Sequence, residues 1–500
     1  MIKLTKTMAA VWVSAALTGC ATADMQTVTQ GTLIRNVTVV NTRDGSLSPD
    51  MAVILASGKI ERIVPAAGVR AGAGAKEVDG SGKYLVPGFL DMHTHAMLEA
   101  DQKPAPWPLL LAHGVTGVRE MAGSPALIEQ SRRLNADSVA GRIDAPEILL
   151  IPGTLLVGVG TADQGVQQVR QQKAMGADFV KLVSASRDGA LAVLAEAKAQ
   201  GLTVAGHLPV ALGAAQAANA GWHSVEHLGS GLGILLDCAA QGDEARAALL
   251  RGEGAPPVFT PSFIATPMLY RERDAQFYQR VIDSYSDTKC RALAQVFVRN
   301  GTWHVPTLIR LRTSEFSNDV QYRKDPHLAW INKGTRAKWE QLATQYDAKI
   351  PASAQATFRH YYGLQQQVVK LLKDSGVKML AGSDFGGIWV IPGYSLHQEF
   401  RELAAAGLTP LEILQMTTLN GATFLGKEAS MGTVEAGKNA DLVLLDANPI
   451  ADASNLDQIA GVFLRGRYFS ATDLDRMKRD VAQAWGNQPL ATGDKHGHVH

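Results

Sequence analysis

The sequence has few cysteines, little net charge and no long apolar run after its N-terminal segment, and each of these absences excludes a class of protein or bond. With only 3 cysteines in 500 residues, the chain can form at most one internal disulfide. Its formal net charge of +1 argues against nucleic acid as a partner, because binding phosphates requires a concentrated basic surface. No run of about 20 apolar residues follows residue 25, so we expect no transmembrane helix in the mature chain. The remaining composition is typical of a globular protein.

The first 25 residues have the features of a targeting segment. Lys3 and Lys6 precede a short apolar stretch at positions 8–17. Leu17-Thr18-Gly19-Cys20 is similar to the signal of bacterial lipoproteins, in which the chain is cut before the cysteine and that cysteine is lipidated. We therefore expect residues 1–19 to be a signal peptide and acyl chains on Cys20 to anchor the exported protein to a membrane. Ala21 is typical of outer-membrane sorting, on the periplasmic side.

If Cys20 is acylated, two cysteines remain, Cys238 and Cys290. In an oxidising periplasm they could form one disulfide, and two unpaired buried thiols are the alternative. The sequence does not decide between these states, because a disulfide requires the two residues to be close in space.

Both ends of the chain carry β-strand patterns. At the N-terminal end these are 32–40 and a hairpin at 50–63 with Ser57-Gly58-Lys59 at its turn; at the C-terminal end they are 432–434, 440–445 and 459–468. We predict one small β-sandwich domain formed by residues 30–85 and 430–470. Residues 471–500 are expected to be a polar C-terminal tail.

The middle of the chain, 86–429, alternates apolar strand-like runs with helical stretches, which is typical of α/β proteins with a parallel sheet. Eight such runs predict a (β/α)8 TIM barrel. The runs are 85–95, 116–121, 147–152, 179–183, 203–207, 224–228, 303–309 and 377–384, with 258–264 as a competitor for the seventh. The long connections 240–300 and 310–375 are expected to cover the catalytic face.

Catalytic groups of such barrels lie at the C-terminal ends of the strands. The strand ends of this sequence carry residues that bind metals directly or after modification: His93, His95, Lys181, His207, His227 and Asp384. His93 and His95 lie two residues apart on one strand, so their imidazoles point to the same side. His207 and His227 would each be ordinary alone, but on successive strands of a barrel that already holds His-x-His they indicate ligation. Asp384 suits a carboxylate that reaches a metal-bound water, and it can also cap the following helix.

Lys181 lies in an apolar strand, where an ammonium group is costly unless it is paired or modified. If its amine takes up carbon dioxide, the resulting carbamate is an anion that can bridge two cations. The alternative is a buried lysine that pairs with a carboxylate.

Together these residues resemble the amidohydrolase superfamily, in the subgroup with a two-metal centre and a carboxylated lysine. The strand patterns are most similar to metal-dependent Xaa-Pro dipeptidases and imidazolonepropionase-like proteins. The stretch from Gly432 to Val443 is similar to the return strand of the family's small β-domain. The resemblance implies two divalent ions, with zinc the expected metal. One would be held by His93, His95, Lys181 and Asp384, and the other by Lys181, His207 and His227.

The resemblance also implies a mechanism. Two cations about 3.5–4 Å apart lower the pKa of a bridging water towards about 7, and the resulting hydroxide attacks a carbonyl carbon. Asp384 takes the proton and returns it to the departing nitrogen. We therefore expect hydrolysis of an amide or peptide-like carbon–nitrogen bond in a small molecule, such as a dipeptide or an N-acyl amino acid. The oligomeric state stays open.

Several alternatives remain for the substrate. Gly206-His207-Leu208-Pro209 departs from the His-Ala-His-Gly that dipeptidases commonly show, which puts dipeptide specificity in doubt. Arg119 and Arg310 are candidates for binding a substrate carboxylate, with structural roles as the alternative.

A deaminase would be expected to carry glutamate where Val210 stands. A lactonase or esterase uses the same metals and stays open. A non-catalytic surface lipoprotein is opposed by the complete set of ligands.

Overall fold

The computed structural model describes residues 25–254 and 271–487. The predicted signal peptide, Cys20 and the competing strand at 258–264 lie outside these described residues. The chain folds as an α/β protein whose strands are β1 (Gln26–Val28), β2 (Gly31–Val40), β3 (Leu47–Ala56), β4 (Lys59–Pro65), β5 (Val69–Ala71), β6 (Ala75–Asp79), β7 (Tyr84–Pro87), β8 (Phe89–Thr94), β9 (Val115–Glu120), β10 (Glu147–Leu150), β11 (Val180–Leu182), β12 (Val204–Gly206), β13 (Trp222–Glu226), β14 (Trp303–Val305), β15 (Leu442–Leu445), β16 (Ile459–Leu464) and β17 (Arg467–Ser470).

The α-helices lie mainly between the parallel strands and in two long connections. They are α1 (Trp107–Ala112), α2 (Pro125–Val139), α3 (Ala162–Ala174), α4 (Arg187–Ala199), α5 (Ala214–Asn219), α6 (Leu235–Cys238), α7 (Gly242–Leu250), α8 (Ala275–Ser284), α9 (Asp287–Asn300), α10 (Leu308–Glu315), α11 (Val320–Arg323), α12 (Lys333–Lys349), α13 (Ala352–Asp374), α14 (Tyr394–Ala405), α15 (Pro410–Met416), α16 (Leu419–Phe424) and α17 (Ala471–Asn487). In the part of the chain that the structure describes, no helix combines the length and apolar character needed to cross a membrane.

Strands from both ends of the chain share one sheet, in the order β17-β16-β15-β7-β2-β3-β4, with β6 beside β2. The side chains of β2 alternate between its two faces, so Leu33 and Ile34 enter different apolar clusters. Leu33 packs with residues of β3 and with Val69 of β5, whereas Ile34 packs with Leu442 and Phe463 from the far end of the chain. The apolar cluster on the Ile34 face therefore holds the two terminal segments together.

The predicted run 85–95 is not one continuous strand. It divides at Gly88 into β7, which pairs with β2 and β15, and β8, which pairs with β9. A Cβ atom at Gly88 would lie 2.1 Å from the Thr116 hydroxyl oxygen, so the chain can pass this point only without a side chain. One apolar run of the sequence thus contributes a strand to each of two sheets.

The central strands form two parallel sheets, β10-β9-β8 and β11-β12-β13-β14. Isolated parallel bridges, Pro152 with Phe179 and Leu156 with Leu182, join the first sheet to the second. Residues 377–384, predicted as the eighth strand, form no regular strand, but they bridge both sheets: Met379 pairs with His304, and the adjacent Phe385 pairs with Thr94. From β8 to β14, each strand therefore lies beside the next one in the sequence, and residues 377–385 lie between β14 and β8.

In their described residues, the long connections are mainly helical. Residues 240–300 include α7, α8 and α9, and residues 310–375 include most of α10 and all of α11, α12 and α13. Cys238 at the end of α6 and Cys290 in α9 form a disulfide, and both are fully buried. The pairing decides between the two states that the sequence left open.

The predicted C-terminal tail begins instead with helix α17. Leu474 packs with Leu111 of α1, and Val481 and Trp485 pack around Leu109 of the same helix. The expectation of a polar tail is therefore wrong for 471–487, because these apolar residues recur on one helical face that is covered by α1. Residues 488–500 lie outside the described part.

Candidate metal centre

The ends of the parallel strands bring the predicted ligand residues to one place. His93 lies in β8, His95 follows it, Lys181 lies in β11, His207 follows β12, His227 follows β13, and Asp384 lies beside His93. Asp384 Oδ1 lies 3.0 Å from His95 Nε2 and 3.4 Å from His93 Nε2, and its Oδ2 lies 3.7 Å from His227 Nε2. The donor atoms of His93, His227 and Asp384 all lie within 4.8 Å of one another. One cation can therefore contact all three.

His207 and Lys181 lie at the edge of this group. The ring centroid of His207 is 5.1 Å from that of His227. Lys181 pairs in register with Ala205 of β12, the strand that leads to His207. Beyond the effect of burial, the positive charge of Lys181 lowers the pKa of His93, His207 and His227. All six predicted ligands thus belong to one cluster at the same end of the parallel strands.

Several donor atoms of the cluster are buried without a hydrogen bond. Within the described residues, His93 Nε2, His95 Nδ1 and Lys181 Nζ have no hydrogen-bond partner. Buried polar atoms in native proteins normally have one, because an unsatisfied polar atom costs free energy. Imidazole nitrogens and a carboxylate oxygen are also the ligands that zinc prefers. The donor set therefore fits a divalent metal ion.

The orientation of His93 is fixed from behind by Glu226. His93 Nδ1 lies 2.7 Å from Glu226 Oε2, so it carries the proton that it donates, and its Nε2 keeps a free lone pair. Glu226 also accepts a hydrogen bond from Ser224 Oγ at 2.6 Å and contacts Arg119 Nη2 at 2.8 Å through both of its oxygens. The glutamate is fully buried and is held by all three partners.

The structure corrects the proposed role of Arg119. Its guanidinium contacts Glu226 and donates through Nε to the Met92 carbonyl at 2.6 Å. The side chain is only 1% exposed and lies near the rings of Phe179 and Phe424. Arg119 therefore supports Glu226 from within the core and is not placed to bind a substrate carboxylate.

His227 is oriented by Thr307, the residue before α10. His227 Nδ1 lies 2.5 Å from Thr307 Oγ1. The same hydroxyl donates to the Pro306 carbonyl at 2.8 Å, so it must accept the Nδ1 proton of His227. This fixes the tautomer and leaves His227 Nε2 facing Asp384.

Three residues of the site have left-handed backbone conformations. The φ angles are +54° at His227, +45° at Thr307 and +54° at Asp384. Such conformations are uncommon for residues other than glycine and cost of order 1–3 kcal/mol each. They occur where three neighbouring segments end, and together they turn His227, Thr307 and Asp384 towards one point.

Gly382 allows Asp384 to approach His93. A Cβ atom at Gly382 would lie 2.8 Å from His93 Cβ and 2.9 Å from His93 N, so no larger residue fits. The close approach lets the Asp384 amide donate to the His93 carbonyl at 2.7 Å.

The electrostatics of the site favour neutral imidazoles and an ionised carboxylate. Burial, followed by neighbouring positive charge, holds the pKa of His93, His207 and His227 well below the usual range. Burial would raise the pKa of Asp384, but His93, His95 and Arg310 face it and lower the pKa to about 2. Neutral imidazoles and a carboxylate are the protonation states that bind metal.

Lys181 and Arg310 are the two cationic side chains of the site. Burial lowers the pKa of Lys181 to about 8, although Glu226 and Asp384 oppose this shift. Arg310 Nε lies 3.4 Å from Asp384 Oδ2, and its side chain is almost fully buried. Unlike Arg119, Arg310 remains next to the candidate catalytic carboxylate.

Sequence reasoning missed Glu226 and Thr307. Glu226 carried a signal, because a charged residue at the end of an apolar strand and directly before a predicted ligand requires a partner. Thr307 carried none, because threonine is common in such positions and its contact with His227 joins residues 80 positions apart.

Comparisons with known proteins find similar chains. Residues 354–468 match the model of the Amidohydrolase family. The chain is 24% identical over 440 residues to imidazolonepropionase of Symbiobacterium thermophilum, which covers 85% of this chain and 91% of that protein. It matches N-acetylglucosamine-6-phosphate deacetylase of Lysinibacillus sphaericus at 39% identity over 88 residues and adenine deaminase of Rubrobacter xylanophilus at 27% over 162, covering 18% and 30% of this chain. It spans only 21% and 26% of the length of those two relatives.

Solved structures show the same fold. A bottromycin amidohydrolase superposes with a TM-score of 0.66 at 20% identity, covering 91% of this chain and 90% of that protein. A Xaa-Pro dipeptidase with methionine bound in its active site superposes with a TM-score of 0.61 at 17% identity, covering 88% and 100%. The family match over residues 354–468 and the relatives named above support a protein of the amidohydrolase superfamily, a class of hydrolases acting on carbon–nitrogen bonds.

Proposed function

We propose that this protein is an amidohydrolase that uses two divalent metal ions, with zinc the expected metal, to hydrolyse an amide or peptide-like carbon–nitrogen bond. The observation that carries the proposal is the convergence of His93, His227 and Asp384 within 4.8 Å, with the buried His93 Nε2 left without a hydrogen-bond partner in the described structure. The parallel sheets and residues 377–385 are interpreted as the eight segments of a (β/α)8 barrel, which is the scaffold that such sites use.

The six clustered residues would hold the two ions in two groups. His93, His95 and Asp384 would hold one, His207 and His227 the other, and Lys181 would reach both. A pKa of about 8 leaves part of the Lys181 amine neutral near neutral pH, and a neutral amine can add to carbon dioxide and lose a proton to give a carbamate. When bound, two divalent ions activate a water molecule and polarise the scissile carbonyl.

The residues of the chain supply orientation and proton transfer. Asp384 is ionised at neutral pH, so it can accept a proton from the attacking water and return it to the departing nitrogen. Glu226 and Thr307 fix the tautomers of His93 and His227, which keeps their Nε2 lone pairs directed into the site. Arg310, beside Asp384, is the remaining candidate for contact with an anionic part of the substrate.

The test is turnover of a panel of dipeptides, N-acyl amino acids and lactones by wild-type protein and by Asp384→Asn. We expect hydrolysis of at least one amide and a loss of at least a thousandfold in kcat/KM for Asp384→Asn, with metal still bound. The matched control is Asp374→Asn, which alters an exposed pair with Lys370 and should leave turnover unchanged. Full activity of metal-free wild-type protein would rule out the mechanism.

A second candidate is deamination of an aminated heterocycle, because adenine deaminases are among the relatives that the sequence matches. Release of ammonia from adenine and related bases, measured in the same panel, distinguishes it from amide hydrolysis. Hydrolysis of the lactones alone would favour the lactonase or esterase alternative.

We also propose that the protein is exported and anchored through lipid on Cys20. The buried Cys238–Cys290 disulfide supports an oxidising compartment, because disulfides are rare in reducing ones. Labelling with a fatty-acid analogue in a bacterial host should mark the wild-type protein and not Cys20→Ser. Equal labelling of both would contradict the anchor.

A further inference from the structure

The first turn of α10 holds two side chains against the metal centre. Thr307, immediately before the helix, accepts the Nδ1 proton of His227. Arg310, on the first turn, lies 3.4 Å from Asp384. The position of this turn therefore sets contacts to two of the proposed ligands at once.

Thr307 does not cap the helix that it precedes. Threonine before a helix usually accepts a hydrogen bond from one of the first amide groups. Here the Thr307 hydroxyl is used by His227 and by the Pro306 carbonyl, and its side chain makes no capping bond. The first amides of α10 need another acceptor, because an α-helix leaves its first N–H groups without intrahelical partners.

Glu399 of α14 supplies that acceptor. Its Oε2 accepts a hydrogen bond from Ile309 N at 2.7 Å, and the Leu308 amide also donates to its carboxyl group. Glu399 is 0% exposed. Burial raises the pKa of Glu399 to about 8, although the two amide groups oppose the shift. A buried carboxyl group from α14 thus accepts the hydrogen bonds that a capping threonine side chain would otherwise accept.

We propose that Glu399 is a positioning residue of the metal centre: it fixes the first turn of α10 and thereby holds Thr307 against His227 and Arg310 against Asp384. The inference rests on the proposed metal-dependent function and adds a residue that touches neither ligand nor substrate.

Glu402, one turn further along α14, provides a matched control. Its Oε1 lies 3.2 Å from Arg312 Nε, and its Oε2 accepts a hydrogen bond from Tyr362 at 2.5 Å. Glu402 therefore also joins α14 to α10, but beyond the first turn. Removing it tests whether loosening this pair of helices is enough to disturb the site.

The experiment measures zinc affinity by equilibrium competition with a chromogenic chelator, using the wild type, Glu399→Ala, Glu399→Gln and Glu402→Ala. We expect zinc to bind at least tenfold more weakly to Glu399→Ala, because residues that orient metal ligands typically change affinity 10- to 100-fold. Glu399→Gln should stay within about threefold of wild type, since its amide oxygen can accept the same N–H groups. Glu402→Ala should also stay within about threefold.

A double-mutant cycle with Thr307→Val tests the route of the effect. If Glu399 acts largely through Thr307, then Glu399→Ala should weaken zinc binding less in the Thr307→Val background than in the wild type. Should Glu399→Ala fail to fold by circular dichroism, Glu399→Asp, whose carboxyl is withdrawn by one methylene, replaces it with the same expectation.

Two results overturn the positioning role while leaving the proposed function intact. One is wild-type zinc affinity in Glu399→Ala, and the other is equal weakening in Glu402→Ala, which would reduce Glu399 to general helix packing. Absence of zinc binding by the wild type would instead overturn the proposed function, and the positioning role with it.

Discussion

Arg119 gives the sharpest test of how the core supports the site. Its guanidinium and the Glu226 carboxylate lie 2.8 Å apart, and their side chains are 1% and 0% exposed. Arg119→Met keeps much of the apolar stem but leaves Glu226 with only Ser224 and His93 as side-chain partners. The variant therefore isolates the loss of one buried charge from an otherwise filled core.

The expected cost follows from this burial. Breaking a buried ion pair by removing one partner costs about 3–5 kcal/mol, because the remaining charge is left in a region of low dielectric. The control is Arg132→Met, which removes a similar contact to Asp178 at 2.7 Å whose side chains are 47% and 24% exposed. An exposed pair of this kind contributes about 0–1 kcal/mol. Similar distances with different burial thus predict a difference of several kcal/mol.

The assay is urea unfolding of the metal-free proteins, followed by circular dichroism, together with steady-state kinetics of the loaded proteins. We expect the free energy of unfolding of Arg119→Met to fall by most of the ~3–5 kcal/mol that breaking the buried pair costs. Arg119→Lys should lose less, since lysine restores the charge without the bidentate contact to the carboxylate. A stability loss below about 1 kcal/mol combined with a raised KM would refute the reasoning. That result would restore Arg119 as a substrate-binding residue.

Three further predictions concern separate parts of the chain. Thr307→Val, which removes the acceptor for His227 Nδ1, should weaken zinc binding about tenfold or more in the chelator competition, and unchanged affinity would contradict the proposed tautomer. Burial lowers the pKa of His304 to about 3, so this side chain stays neutral in the folded state at pH 5. In the unfolded chain, histidine has a pKa of about 6.5 and binds a proton below that pH, which favours unfolding. Between pH 7 and pH 5, the free energy of unfolding of the wild type should therefore fall by about 2 kcal/mol more than that of His304→Leu. Parallel pH profiles of the two proteins in urea unfolding would contradict this. Thiol titration of denatured Cys20→Ser should find no free thiol before reduction and two afterwards, because Cys238 and Cys290 are paired, and two free thiols at the outset would exclude the disulfide.

The ligand cluster could be predicted because its signals are local. His93 and His95 share a face through the two-residue period of a strand, and Lys181 is conspicuous because an apolar strand rarely contains an ammonium group. Parallel strands also end at one edge of a sheet, so residues at strand ends far apart in sequence can be expected to meet. The structure brings His227 and Asp384 together in this way.

The supporting contacts could not be predicted in the same way. The two roles left open for Arg119 could not be separated because a strand-end arginine has the same sequence signal whether it faces a substrate or a buried carboxylate, and only the position of Glu226 distinguishes the two. Glu399 caps α10 from 90 positions away, and no local pattern records such a contact. The helix α17 was missed because its few apolar residues face α1 within an otherwise polar sequence.

The central claim is that the strand ends hold two divalent ions that are needed for turnover. Its most direct test is metal content per chain by elemental analysis, paired with activity recovered as zinc is titrated into metal-free protein. We predict two ions per wild-type chain, activity that rises until the second equivalent is bound, and about one ion in Lys181→Ala, with part of the lost activity restored by short carboxylates. Wild-type protein that is fully active without metal, or that binds none, would contradict the account.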